Sequence, residues 1–228
     1  MLRVIARELL DDDAADSDDG EWRGSLHDLA RVNTLLGGRR LMRSELDKLP
    51  SVPLSILDVG TGGADMPAVA IDHVRARGAQ ARCVAVDRSP RILAIARERL
   101  GGRSDIRLQI ADALALPFAD ESFDLAMLNL ALHHFDGAAA VQVLRELARV
   151  ARDVIVNDLR RSPIAWAFAR FVFPLFTRNR FTLHDGPLSI ARSYTPEEAR
   201  ELATAAGWRR IAVRKYPGYR MALVGGRR

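Results

Sequence analysis

Leu54-Ser55-Ile56-Leu57-Asp58-Val59-Gly60-Thr61-Gly62-Gly63-Ala64-Asp65 decides how this chain folds. It begins as a short apolar run rich in β-formers and ends in a glycine-rich turn. A helix-compatible segment follows from Pro67. That order is a strand, a tight loop and a helix N-terminus. Glycines there let the backbone approach a ligand closely, and the loop amides point outward at it. A dinucleotide loop wants Gly-x-Gly-x-x-Gly where the helix opens. Gly60 and Gly62 fill the first two places, but Asp65 stands where the third glycine belongs. A carboxylate there would face a pyrophosphate unfavourably. The alternative pattern, acid-x-Gly-x-Gly-x-Gly, is matched by Asp58, Gly60 and Gly62, with Ala64 in the last place. An ordinary turn that binds nothing is the third reading of the same residues.

Outward from this loop the chain alternates. Strands are expected at 54–59, 82–87, 106–110, 123–130 and 153–158, and helices at 67–77, 90–100 and 138–151. Ser89-Pro90 is an N-cap followed by a first-turn proline. Repeated strand-helix-strand units mean a parallel sheet with helices on both faces and ligands at the strands' C-terminal ends. Asp87 ends the second strand, where the ribose of a nucleoside ligand would lie, and a carboxylate accepts bonds from two vicinal hydroxyls. Asp112 ends the third strand and suits an adenine amine, with the Ala113 amide beside a ring nitrogen. The plain alternatives are a cap role for Asp87 and a turn role for Asp112.

Composition narrows the class. The 228 residues suffice for one well-buried domain with a small cap. The net charge of +5 comes almost wholly from arginine, since lysine occurs only at Lys48 and Lys215. The arginines are scattered and form no basic stripe, so no nucleic-acid partner is expected. Cys83 is the only cysteine, which excludes an intramolecular disulfide and a cysteine metal cluster, and no metal site is assigned. There is no N-terminal signal pattern and no apolar run of membrane-spanning length. A cytoplasmic protein without an integral membrane segment is the expectation. The aspartate run at 11–19 reads as a solvated linker.

The motif of Asp58, Gly60 and Gly62 resembles motif I of the class I S-adenosylmethionine-dependent methyltransferases. Leu116-Pro117-Phe118-Ala119-Asp120-Glu121-Ser122-Phe123-Asp124 resembles the Leu-Pro-Phe-x-Asp-x-Ser-Phe-Asp signature of the group that includes the ubiquinone and menaquinone biosynthesis enzymes. The resemblance covers residues 54–158 well and the flanks loosely. It implies a Rossmann-like, doubly wound α/β sheet of seven strands, mostly parallel, with the last antiparallel. It implies S-adenosylmethionine contacts at Asp58, Gly60, Thr61, Gly62, Asp87, Arg88, Asp112, Ala113 and Asn129. Ala64 departs from the family's third glycine.

The flanks supply the rest. Residues 1–50 read as a helical lid, with Ser25 as a helix cap and Trp22, His27 and Arg31 as residues that either face the site or pack within an N-terminal cap. Residues 51–228 read as the methyltransferase domain, with an inserted cap at about 160–194. Within that cap, 164–176 is a helix apolar nearly all round, and it is a substrate lid, a packed helix, a membrane-surface helix or a homodimer surface. Residues 177–194 read as a long polar loop. The acceptor is expected to be small and apolar or aromatic, methylated on oxygen first and on ring carbon second. His133, His134 and His184 are the candidates for proton removal, with Tyr194 behind them. The Asn/Asp-Pro-Pro-aromatic sequence of base-modifying enzymes is absent after the fourth strand. The rivals are a nucleotide-dependent oxidoreductase and a fold member that binds cofactor without turnover.

Overall fold

A computed structural model describes residues 1–11, 18–49 and 51–227. Most of the aspartate run read as a linker lies outside the described residues. The glycine-loop stretch forms β1 (Ser55–Val59), buried at four of its five positions. Around it lie β2 (Arg82–Asp87), β3 (Ile106–Ile110), β4 (Phe123–Asn129), β5 (Ala151–Leu159), β6 (Arg210–Tyr216) and β7 (Arg220–Gly226). The spatial order is β3-β2-β1-β4-β5-β7-β6. The first five strands pair in parallel, and β7 runs antiparallel to both β5 and β6. The chain winds outward from β1 to β3, then returns to place β4 beside β1. The crevice at that switch point is where such sheets bind ligands.

Helices cover both faces. On one, α5 (Gly137–Val150) and α8 (Pro196–Ala205) bury Leu144, Leu147, Ala199 and Ala203 against Val154, Val156 and Leu223. On the other, α2 (Gly38–Leu46) and α3 (Asp65–Ala76) bury Met42, Leu46, Ile71 and Val74 against Ile56, Leu125 and Met127. The α4 helix (Pro90–Leu100) starts at the Ser89 cap as the sequence predicts. The Leu116–Asp124 signature is scaffold. Arg149 donates to the Leu116 and Phe118 carbonyls, and Asp124 accepts from the Leu54 and Ser55 amides. Those bonds tie the signature loop to α5 and the start of β4 to the start of β1.

Two expectations are corrected. The first helix, α1 (Asp19–Leu35), begins about two turns early, because Asp18 accepts from the Glu21 amide and caps it; Ser25 is buried inside it. Residues 177–194 are no loop: α7 (Arg180–Arg192) fills most of them. Asn179 caps α7, and buried Phe181 and Ile190 anchor it in spite of Pro187. Gly186 is there for space. A Cβ on it would come within 2.7 Å of the Phe173 ring. Among the readings left open for 164–176, α6 (Pro163–Val172) is not a helix buried on all sides. Its alanines pack inward and its large side chains face out.

Candidate functional site

A cleft of about 730 Å³ opens at the C-terminal ends of β1, β2 and β4. Gly60, Thr61, Gly62, Asp87, Arg88, Asp112, Ala113 and Asn129 all line it. Gly60 and Gly62 have φ of 63° and 53°, the left-handed region that glycine enters without strain. Ala64 sits there too, at 54°, so the loop takes the left-handed conformation at that position without a glycine. Asp87 accepts from the Gly62 amide at 3.0 Å and the Ser89 amide at 3.1 Å. It therefore pins the loop to the end of β2 while its remaining lone pairs face the cleft. Burial raises its pKa, and the two amides oppose that rise. Asp112 turns back to accept from the Leu114 amide and stays exposed.

Asp58 is the one predicted contact that does not line the cleft. It lies beneath, 1% exposed, accepting from the Asn129 side chain at 2.9 Å. Burial pushes its pKa up to about 7; Asp65 and Asp87 add to the rise, while Thr61 and Asn129 oppose it. Three carboxylates thus crowd one glycine loop. That donor set repels a pyrophosphate and suits a cationic sulfonium and ammonium, so the residues fit S-adenosylmethionine.

A second, smaller cavity of about 220 Å³ adjoins the cleft. Leu10, Leu29, Leu130 and His134 line both and form the partition. Leu130 has φ of 50°, a strained conformation for a branched side chain, and it stands at this wall. The smaller cavity is walled by Val32, Leu36, Phe168, Phe173 and Ile190. His133 also lines it. Asp158 accepts from His133 Nδ1 at 2.7 Å and from the His133 amide at 3.0 Å, which fixes the ring. His133 Nε2 is then left buried without a hydrogen-bond partner among the described residues, 3.6 Å from Glu8. Burial opposes charge on Asp158, but His133 and the His133 and Leu159 amides outweigh it and hold its pKa below the ordinary value.

Glu8 belongs to an N-terminal strap that lies across the site. Arg3 bonds to Asp136 and to the His133 and Phe135 carbonyls, and Asp185 accepts from the Leu9 and Leu10 amides. Burial raises the Glu8 pKa to about 7, with His134 and Arg192 opposing and Asp185 adding. Glu8, His133 and His134 bring one donor atom each within 4.8 Å of one another, atoms of the kinds that ligate zinc.

The histidine pair is therefore brought to the site, and His184 is not. His184 is exposed and lines neither cavity; its Nδ1 merely meets Asp185 at 2.7 Å. Asp185 is instead occupied in tying down the strap. Tyr194 donates to the Phe135 carbonyl and lines neither cavity. The lid residues were misplaced by part of a helical turn. His27 and Arg31 point to solvent and Trp22 packs edge-on to Phe181, whereas Ser25, Leu26, Leu29, Val32 and Asn33 line the site. Glu8, Asp158 as the partner of His133, and the Arg220–Asn33–Asp65 chain of hydrogen bonds were not read from the sequence. Only Asp158, at the end of β5, carried a signal: its strand-end position beside the switch point.

Comparison with known proteins agrees with this geometry. Residues 56–153 match the methyltransferase domain family. The demethylmenaquinone methyltransferase of Thermus thermophilus is 36% identical over 113 residues, which are 49% of this chain and 47% of the relative. That of Mycobacterium sp. (strain KMS) is 28% identical over 212 residues, 86% of each. The chain thus spans about half the length of the first and most of the second. Human N-acetylserotonin methyltransferase, solved in complex with SAM, shares the fold with a TM-score of 0.68 at 18% identity, over 98% of this chain and 60% of that one. Residues 56–153 thus match a methyltransferase domain, the fold is that of solved S-adenosylmethionine-dependent methyltransferases, and the chain is similar to demethylmenaquinone methyltransferases.

Proposed function

We propose that the protein methylates a small, apolar aromatic acceptor that carries a hydroxyl, with residues 1–50 as lid and the 160–194 segment as cap. One observation carries this: an apolar cavity adjoins the cofactor cleft, and a histidine fixed by a buried carboxylate lines it. S-adenosylmethionine, when bound, supplies an electrophilic methyl group. The chain must then position the acceptor, exclude water and take a proton. Apolar walls do the first two. With Nδ1–H held by Asp158, His133 presents the lone pair of Nε2 and accepts the hydroxyl proton, and the Asp158 carboxylate stabilises the imidazolium. Glu8 and His134 complete a polar rim beside that nitrogen.

Removing a phenolic proton activates either the oxygen or the ring carbons, so oxygen methylation is the first reading and quinol ring-carbon methylation the second. The relatives named as demethylmenaquinone methyltransferases favour the second. Incubation with S-adenosylmethionine and a panel of phenols and reduced naphthoquinones, followed by mass spectrometry, tests the proposal. Methylated product from an apolar panel member is expected, with fragmentation distinguishing methoxy from ring methyl. Product only from polar amines or acids would refute it.

A further inference from the structure

Helix α6 is amphipathic in the wrong direction for a protein surrounded by water. Its small residues, Ala165 and Ala169, are buried against Ile190 of α7. Its large ones lie outside: Ile164 is 69% exposed and Phe171 69%, with Trp166 and Phe168 also exposed. Ile164, Phe168, Phe171 and Leu175 follow the i, i+4, i+7, i+11 spacing of a single helical face. The face runs on through the 3₁₀ turn Phe173–Leu175 to Phe176, and Leu175 and Phe176 are 78% and 67% exposed. An apolar patch this continuous marks a contact surface.

Charge identifies the partner. From Arg160 to His184 the sequence holds five arginines and no aspartate or glutamate. Arg161 and Arg180 pair with Glu198 and Glu21 from other elements. Arg170 and Arg178 are exposed, and among the described residues neither has an ion-pair partner. We infer that residues 163–176 dock the protein on an anionic lipid bilayer, the aromatic and aliphatic side chains entering the headgroup boundary and Arg170 and Arg178 meeting lipid phosphates. No described helix is long and apolar enough to cross a membrane, so the attachment is peripheral. Ala165, Phe168, Ala169 and Phe173 line the apolar cavity from within. The docked face is therefore the outer side of the acceptor's own wall, and a lipid-dissolved acceptor reaches the site without crossing water. This purpose rests on the apolar-acceptor reading above; the surface itself does not.

Co-sedimentation of the full chain with vesicles of phosphatidylcholine alone, and with an equal part of phosphatidylglycerol, tests the inference. Binding to the mixed vesicles is expected, weakened by added salt. The pair Arg170→Gln and Arg178→Gln should lower the partition about thirty-fold. Phe171→Ser with Phe176→Ser should lower it at least tenfold, with melting temperature and S-adenosylhomocysteine affinity unchanged. Wild-type protein that binds S-adenosylhomocysteine but no vesicle would overturn docking. So would a dimer in ultracentrifugation that the phenylalanine substitutions abolish. Vesicle binding without S-adenosylhomocysteine binding would support docking and overturn only the catalytic reading.

Discussion

Asp58→Asn should make the protein more stable at pH 8 and hardly change it near pH 4.5. The carboxyl has a folded pKa of about 7, chiefly from burial, against about 3.9 in an unfolded chain. The folded state therefore binds more protons than the unfolded state between about pH 4 and pH 7. Stability falls as pH rises through that window and is level above it. Three pH units at about 1.4 kcal/mol each set an upper bound of about 4 kcal/mol for the whole effect. For a chain of this size each kcal/mol moves the melting temperature by about 2–4 °C, so the upper bound on the variant's gain at pH 8 is about 8–16 °C. Glu8, also raised to about 7, steepens the wild-type slope but cancels in the difference. Melting curves by circular dichroism at pH 4.5, 6, 7 and 8 read that difference directly. A gap between wild type and variant that stays constant with pH would refute the reasoning. The same charge bears on the ligand: a sulfonium favours ionised Asp58. Affinity for S-adenosylmethionine relative to its uncharged-sulfur product should therefore rise from pH 6 to pH 8 and stop doing so in the variant.

His133→Ala should lower kcat by about 10²–10⁴ while S-adenosylhomocysteine affinity stays within threefold, because the ring serves proton removal and not the cofactor. Asp158→Asn should lower kcat by the same mechanism, since the histidine loses the carboxylate that fixes its Nδ1 proton, and calorimetry beside turnover separates the effects. Trp22→Ala should lower stability by about 3–5 kcal/mol, read by chemical denaturation. Trp22 is fully buried, edge-on to Phe181 at 5.4 Å, and joins α1 to α7.

Most of the sheet was legible because its signals are local. Apolar runs, the glycine loop and the Ser89-Pro90 start each act within a few residues, and β2, β3 and α4 fall at the expected positions. The cofactor side of the site was legible for a related reason. Strand ends in a doubly wound sheet converge on one crevice, so Asp87 and Asp112 could be placed from topology, while Asn129 came from the family resemblance. The acceptor side was not, because it depends on contacts between distant segments. Glu8 reaches His133 across more than half the chain, and nothing near Glu8 announces it. His184 and Asp185 looked like a base and its orienter, yet α7 leaves His184 exposed and gives Asp185 to the strap. The polar composition of 177–194 concealed a helix whose stability comes from a few buried residues. The orientation of α6 could not be read from a stretch apolar on nearly every side.

Titration calorimetry of S-adenosylmethionine, S-adenosylhomocysteine and NADH against wild type and Asp87→Asn tests the central claim most directly. Saturable binding of the first two and none of NADH is predicted. Asp87→Asn should weaken both about ten- to a hundredfold, because the charge-assisted bonds of that carboxylate hold the loop and face the ribose position. Preference for NADH, or equal affinity in wild type and variant, would contradict the assignment of the cleft.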